Sequence, residues 1–333
     1  MDVRFTDDDG SLGPPDGRQF PRFMGPSTFA RLPRLDQVSR WDVAVLGVPF
    51  DIGTSYRPGA RFGPLGIRQG SRTLRNWHPD LELKPFGSQQ VVDAGDVACS
   101  TYVIEDAIAT IEASAVELTR DGGRMLALGG DHTIAYPLLR ATHAAHGQVA
   151  LVHFDAHVDT YDTYMGAPFT HGTPFRRAAE EDLFVKGHSM HVGIRGSKYG
   201  PEDLQEDAGY GFAVMGTWDI ERIGIDGYVE RIRERVGDRP VYLSIDIDVL
   251  DPAFAPATGT PEVGGFSSRE LLGILRGLRG LHLVGGDIVE VAPAYDHAEI
   301  TSIAAANVAY ELISLMAPSD VGRPGLEPGT NRL

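Results

Sequence analysis

The chain has 333 residues, of which 42% are hydrophobic and 23% charged, so it can bury a large core and is not a small fold that depends on disulfides. Lys and Arg total 30 against 46 Asp and Glu, and the net charge of −16 argues against nucleic acid or anionic lipid as a partner. The single cysteine, Cys99, excludes an intrachain disulfide. The chain has no apolar run of membrane-spanning length and an acidic start in place of a signal peptide, so we expect a cytoplasmic protein.

Residues 1–40, rich in Pro and Gly, are predicted to form an irregular N-terminal arm, and residues 318–333 a flexible C-terminal tail. Between them, apolar runs bounded by Gly or Asp predict eight buried strands: Val43–Val48, Val91–Ala94, Met125–Leu128, Val149–Phe154, Met190–Ile194, Phe212–Met215, Val241–Ile247 and Leu281–Val289. Helical spacing predicts five helices: Ile104–Thr119, Thr133–His146, Tyr228–Val236, Leu271–Leu278 and Ile300–Met316. The alternation indicates a single α/β domain, residues 41–317, with a mostly parallel sheet covered on both faces.

Polar residues cluster where three of the predicted strands end. Alternate residues of an extended chain share one face, and ligands of parallel sheets bind beyond the carboxyl ends of the strands. If these strands are neighbours, two imidazoles and four carboxylates converge. The candidate cluster is His132, Asp155, His157, Asp159, Asp246 and Asp248.

Four carboxylates packed together repel one another unless cations compensate their charge. Six ligands, two of them shared, suit a pair of divalent ions about 3.5–4 Å apart. The donors are oxygen and imidazole with no thiolate, which suits Mn²⁺ and leaves Zn²⁺, Co²⁺, Fe²⁺ and Ni²⁺ open. Such a pair lowers the pKa of a water molecule between the ions, and this water then serves as a nucleophile near neutral pH.

Three motifs carry a specific resemblance: GGDHT (129–133), DAHVD (155–159) and SIDIDVLDPAFAPATGTPEVGG (244–265). They resemble the ureohydrolase family of arginase, agmatinase and their relatives, and the likeness extends from Trp41 to Met316. The resemblance implies a three-layer αβα sandwich around an eight-stranded parallel sheet, two Mn²⁺ per subunit, and a homo-oligomer, either trimer or hexamer. It assigns one ion to His132, Asp155, Asp159 and Asp246, and the other to His157, Asp155, Asp246 and Asp248.

The same resemblance implies a hydrolase that acts on linear amidines and releases urea. Asp159 would relay a proton, His171 would pass one to the leaving amine, and Glu290 would bind the guanidinium group. Tyr161, Tyr164 and Met165 are predicted to line the pocket and to set its length.

The segments 53–64 and 171–182 resemble the agmatinase-type branch of the family. Gly196 and Lys198 stand where an arginine-binding relative carries acids, so L-arginine is not the expected substrate. We favour agmatine, hydrolysed to putrescine and urea, because a cationic tail suits an acidic protein. Three alternatives stay open: a guanidinobutyrase that forms 4-aminobutyrate with Arg57 or Lys198 on the carboxylate, a guanidino-acid hydrolase such as proclavaminate amidinohydrolase, and a catalytically silent metal-binding relative.

Several other polar residues are expected to have structural roles. His153 is interpreted as a packed residue beneath the cluster, and Asp287 as a partner of the metal site. Asp93 and Asp96 are expected to end a strand. Surface or subunit-contact charges, rather than an anion site, are the interpretation of Arg72, Arg75, Arg176 and Arg177.

Overall fold

The computed structural model describes residues 4–6, by their backbone alone, and residues 10–318. A short antiparallel pair, β1 (Arg4–Thr6) and β2 (Leu12–Pro15), precedes the main sheet. Eight parallel strands form that sheet in the order β4-β3-β5-β10-β9-β6-β7-β8, which confirms the predicted fold class. Their bounds are β3 Val43–Val48, β4 Val91–Asp96, β5 Arg124–Gly129, β6 Ala150–Phe154, β7 Ser189–Ile194, β8 Phe212–Gly216, β9 Val241–Asp246 and β10 Leu283–Val289.

Eight α-helices accompany the strands in the described part of the chain: α1 Gly63–Gly70, α2 Ile104–Thr119, α3 Ala135–His146, α4 Pro174–Glu180, α5 Glu202–Tyr210, α6 Ile220–Val236, α7 Ser268–Gly277 and α8 Ile300–Met316. A capping box of Ser267 and Glu270 opens α7. The sequence did not predict α1, α4 and α5, because α1 contains three glycines, α4 has only seven residues and α5 has one buried residue. Helix α6 begins eight residues before the predicted start, ahead of an interruption at Gly224.

Successive strand residues contribute to opposite faces of the sheet, and this alternation divides the core in two. Val43 and Val45 belong to a cluster that includes residues of α1, α6, α7 and α8, while Ala44 and Leu46 belong to one that includes α2, α3 and α4. The helices therefore cover both faces of the sheet, as a parallel sheet requires. Within the described residues, no helix is both long and apolar enough to span a membrane.

The segment predicted as an irregular arm contributes to the same core. Phe29 and Leu32 are fully buried against the sheet cluster. The backbone amide of Phe29 donates to Asp93 Oδ2 (2.6 Å), and the buried Arg68 guanidinium donates to both oxygens of Asp93 (2.8 and 2.9 Å). Asp93, a residue of β4, therefore connects this strand to the N-terminal segment through Phe29 and to α1 through Arg68. Of the predicted tail, residues 319–333 lie outside the described residues.

Four adjacent strands at the centre of the sheet, β5, β10, β9 and β6, determine where a site can form. The chain places β10 and β9 between β5 and β6, so the direction of winding changes there. The three strands that precede the candidate ligands, β5, β6 and β9, are not all direct neighbours. Strand β10 separates β5 from β9, and Glu290 follows its last residue.

We expect Asp93→Ala to lower the free energy of unfolding by about 3 kcal/mol or more, because it leaves a buried guanidinium short of its main partner. The side chains of Arg68 and Asp93 are only 8% and 2% exposed. Asp36→Ala is the matched control, since the Arg34–Asp36 pair lies in solvent and its loss changes stability by about 1 kcal/mol or less. Urea unfolding followed by fluorescence measures both, and equal changes would contradict the assignment.

Candidate active site

The turn after β5 fixes the first histidine. A side chain at Gly130 would lie 2.5 Å from the carbonyl oxygen of Phe50, so only glycine lets this turn run against the segment after β3. The next residue, Asp131, accepts from the backbone amides of Thr133 (2.9 Å) and Gly53 (2.8 Å). These bonds hold a 3₁₀ turn that begins at His132 and directs its imidazole into the sheet edge.

The other ligand candidates converge through turns, and the prediction that they share a strand face was wrong. Strand β6 ends at Phe154, and Asp159 has a left-handed backbone with φ of 54°. Asp246 is the last residue of β9, and its Oδ1 accepts from the amide of Asp248 (2.8 Å) in the following 3₁₀ turn. Because the acids stabilise the turns, the backbone leaves the extended form exactly where the ligands begin.

His132 is at the centre of the first group. Its Nδ1 is fully buried, makes no hydrogen bond, and faces carboxylate oxygens of Asp159 (3.0 Å), Asp155 (3.2 Å) and Asp246 (3.4 Å). Atoms that ligate one divalent ion at about 2.0–2.2 Å lie about 3–3.5 Å apart, so these spacings fit a shared cation. All four predicted ligands of this ion therefore meet.

A hydrogen-bonded chain below His132 sets its tautomer. Ser244 Oγ donates to Asp287 Oδ1 (2.7 Å), so it is free to accept from His132 Nε2 at 2.9 Å. The proton on Nε2 leaves a lone pair on Nδ1, the form in which histidine binds metal. Asp287 thus reaches the cluster through Ser244, in the supporting role that was expected of it.

The second group adjoins the first through one carboxylate. His157 Nδ1 lies 3.3 Å from Asp155 Oδ1 and 3.1 Å from Asp248 Oδ2. The other oxygen of Asp155 faces His132, so the two oxygens point to different imidazoles. Asp155 is therefore positioned to bridge two ions.

The charge state of the cluster shows why it needs cations. Burial, followed by the charges of Asp248 and Asp155, raises the pKa of Asp246 well above 3.8. Burial lowers the pKa of His132, but three carboxylates outweigh it and raise that pKa well above 6.5. Protons thus offset the negative charge when no metal does, and divalent ions can replace them. The donor set fits a pair of metal ions.

His153 lies beneath the cluster and is fully buried. Its Nε2 is 2.7 Å from Asp155 Oδ2, and its Nδ1 is 2.8 Å from Nδ1 of His191. Its ring also packs against Phe175. These contacts agree with its interpretation as a packed residue that supports Asp155, although Nε2 also lies within 4.8 Å of ligand atoms of His132, Asp155 and Asp159.

Glu290 and His171 form a buried pair beside the cluster. Glu290 has a left-handed backbone with φ of 65°, and its Oε1 accepts from the His132 amide (2.9 Å) and faces His171 Nδ1 (3.3 Å). Its Oε2 is buried without a partner. Burial lowers the pKa of His171, but the bond and charge of Glu290 outweigh it and raise the pKa to about 9. The Ser55 hydroxyl lies 2.7 Å from the other ring nitrogen, Nε2.

A cleft of about 280 Å³ opens above the cluster. Two predicted residues, Tyr161 and Tyr164, line it with rings at right angles and 5.3 Å between centroids. Glu290 does not line the cleft but lies behind His171, which does. The cleft is also lined by residues that the sequence did not single out: Ser55, Gly172, Ser197, Tyr199, Thr260 and Glu262.

Met165 was predicted to line this cleft, and the structure places it outside. It lies in a two-residue turn closed by reciprocal backbone bonds between Tyr164 and Ala167 (3.0 and 2.8 Å), and its side chain is 97% exposed. Arg57 is also absent from the lining, because its guanidinium stacks on the rings of Tyr56 and Tyr295. Among the described residues that line the cleft, Lys198 is therefore the one lysine or arginine.

Comparison with known proteins agrees with this geometry. The model of the Arginase family matches residues 41–314. An agmatinase of Photorhabdus laumondii is 46% identical over 82% of this chain and 86% of its own. A guanidinobutyrase of Pseudomonas aeruginosa is 43% identical over 90% of this chain and 95% of its own.

Among solved structures, proclavaminate amidinohydrolase of Streptomyces clavuligerus superimposes with a TM-score of 0.86 and 43% identity, covering 90% of this chain and 99% of that one. The family match covers nearly the whole domain, and the relatives align over most of their own lengths. With a buried His/Asp cluster at the expected sheet edge, the chain belongs to the arginase family, the metal-dependent ureohydrolases that cleave amidino C–N bonds.

Proposed function

We propose that this protein is an agmatinase-type ureohydrolase that hydrolyses agmatine to putrescine and urea with two Mn²⁺ ions. The observation that carries the choice of substrate is Glu262, which lines the cleft. No Lys or Arg nitrogen of the described residues lies within ion-pair distance of its carboxylate, whereas Arg195 bonds only its backbone oxygen (2.7 Å). The tail ammonium of agmatine would supply the missing partner.

His132, Asp155, Asp159 and Asp246 would hold one ion, and His157, Asp155, Asp246 and Asp248 the other. Oxygen and imidazole donors without a thiolate support Mn²⁺. When bound, the ions would supply a water molecule acidic enough to serve as a nucleophile near neutral pH.

The surrounding residues would orient the substrate and move protons. The unpartnered Oε2 of Glu290 is available to accept from a guanidinium N–H, once His171 gives access to it. Glu290 holds the proton on His171 Nδ1, so Nε2, which contacts the hydroxyl and the backbone amide of Ser55, would be the nitrogen that exchanges a proton with the leaving amine. Asp159 would relay a proton from its strained position at the cluster.

A guanidino acid is the second candidate, and Lys198 favours it. Its Nζ donates to the carbonyl oxygens of Arg195 (2.9 Å) and Ala156 (3.4 Å), so one ammonium proton stays available for a carboxylate. The relatives named guanidinobutyrase and proclavaminate amidinohydrolase lend support to this reading. A silent metal-binding relative would release no urea from any substrate.

Urea release by the Mn²⁺-loaded protein tests the proposal, with agmatine, 4-guanidinobutyrate, 3-guanidinopropionate and L-arginine at matched concentrations. We expect agmatine to be preferred. Glu262→Gln should then raise KM for agmatine by about tenfold or more, the effect of one lost charge-assisted bond. Lys198→Met, the matched change of the opposite charge, should leave agmatine turnover within about twofold. A preference for 4-guanidinobutyrate that Lys198→Met abolishes would instead establish the second candidate.

We expect two Mn²⁺ per chain in the unmodified protein and fewer than one in Asp155→Asn, because Asp155 faces both histidines. Asp248→Asn should lose the second ion alone, since its side chain faces His157. Equilibrium dialysis with metal analysis measures the stoichiometry. Asp121→Asn, at an exposed turn, serves as control, and two retained ions in Asp155→Asn would disprove the bridging role.

In the metal-free protein, we expect His171 to titrate at a pKa of about 9. Glu290→Gln should lower that pKa, because the bond and the charge of Glu290 that raise it are lost. Because the pKa of His171 is raised, the His171–Glu290 pair contributes fully to the stability of the fold below pH 6.5. This contribution to the free energy of unfolding is lost as the pH rises through about 9. NMR titration of labelled imidazoles measures the shift. Glu262→Gln should leave it unchanged, and a His171 pKa insensitive to Glu290→Gln would refute the coupling.

A further inference from the structure

A second cavity, of about 550 Å³, lies between the N-terminal segment and the loop that follows α1. It shares no lining residue with the active-site cleft and has about twice its volume of 280 Å³. Its wall contains four arginines, one lysine and one acid, whereas the whole chain has a net charge of −16. The lining consists of Pro14, Pro15, Asp16, Gly17, Arg18, Arg22, Arg31, Leu74, Arg75, Asn76, Trp77 and Lys84.

Arg31 distinguishes this cavity from an ordinary basic surface. It is only 2% exposed, and its Nη2 donates to the carbonyl oxygen of Pro15 (3.1 Å). Its Nε and Nη1 are buried without a hydrogen-bond partner, and no acid of the described residues forms an ion pair with it. A buried guanidinium with unused donors is costly, so a ligand that accepts from it would bind favourably.

The backbone holds Arg31 in this place against its own preference. Ala30 and Arg31 both have left-handed backbones, with φ of 48° and 61°. The amide of Ala30 donates to Ser71 Oγ (2.7 Å), and the preceding amide of Phe29 donates to Asp93. Strain of this kind, fixed by surrounding bonds, is typical of residues with a binding role.

The neighbouring charges add to the positive potential. Burial lowers the pKa of Arg31, and the charges of Arg72, which lies outside the lining, and of Arg22, which belongs to it, lower it further. Asp16 cannot neutralise them, because Arg18 occupies both of its oxygens (3.1, 3.0 and 2.7 Å).

We propose that this cavity binds a small organic oxyanion, a carboxylate or a phosphate ester, through the unused donors of Arg31. Arg22 and Arg75 attract the anion, and Leu74 and the half-exposed ring of Trp77 contact its carbon skeleton. The site is separate from the ureohydrolase centre, so its binding of an oxyanion does not depend on which guanidino compound that centre hydrolyses.

Calorimetry and thermal unfolding of the full, Mn²⁺-loaded chain test the site, with sodium sulfate as the phosphate-like probe, sodium succinate as the carboxylate probe and sodium chloride at equal ionic strength as reference. We expect at least one probe to bind and to raise Tm. Arg31→Gln should weaken that binding by at least about tenfold, as expected for lost bonds to a charged group. Without the probe its Tm should be equal or higher, because an unpaired buried charge is gone.

Arg40→Gln removes the same charge from an exposed position outside the cavity and should bind the probe like the unmodified protein. If Arg31→Gln does not fold, Arg75→Gln, at the exposed rim of the cavity, tests the site in its place. Its affinity for the probe should be about threefold weaker than that of the unmodified protein. Unchanged binding in the variant tested overturns the proposal. The absence of binding by both probes also overturns the proposal. If Arg31→Gln then alters the sedimentation of the protein, a second copy of the chain fills the cavity instead of an anion.

Discussion

Four buried carboxylates in one place repel one another, and the rest of the structure is organised around that repulsion. Asp155, Asp159, Asp246 and Asp248 are at most 6% exposed, so water cannot screen them. They are held by turns that begin at the ends of β6 and β9, where the acids themselves accept backbone amides. The hydrogen bonds of Ser244 to His132 and Asp287 orient the imidazole of His132, and His153 supports the carboxylate of Asp155. The fold thus maintains a charge density that only cations make stable.

The cleft above the cluster has charged residues of both signs in its wall. Glu262 and Lys198 both line its wall, and neither is a candidate ligand of the metal cluster. The relatives bear names as different as agmatinase, guanidinobutyrase and guanidinopropionase at 41–46% identity. In general, small changes in the wall of a binding cleft are enough to alter which of two ligands is preferred.

The sequence predicted the sheet and all six candidate ligands, because short Val- and Ile-rich runs and clustered His and Asp leave strong local patterns. It failed where the determining contacts are distant. Helix α1 contains three glycines and is stabilised by packing against α8, which no local pattern reveals. Met165 was misplaced because a turn of two left-handed residues, Met165 and Gly166, points it to solvent. Ser55 and Glu262 come from loops far apart in the chain, and only the folded cleft brings them together.

The position of β10 has a consequence for how the protein is made. This strand comprises residues 283–289, yet it lies between β5 and β9 in the middle of the sheet. While the ribosome is still synthesising the last fifth of the chain, β5 has no neighbour on that side. The turn that carries His132 therefore cannot meet Asp155 and Asp246 until synthesis is nearly complete. The first group of ligands is therefore completed late, whereas His157, Asp155 and Asp248 follow the directly paired strands β6 and β9 and can meet before β10 exists.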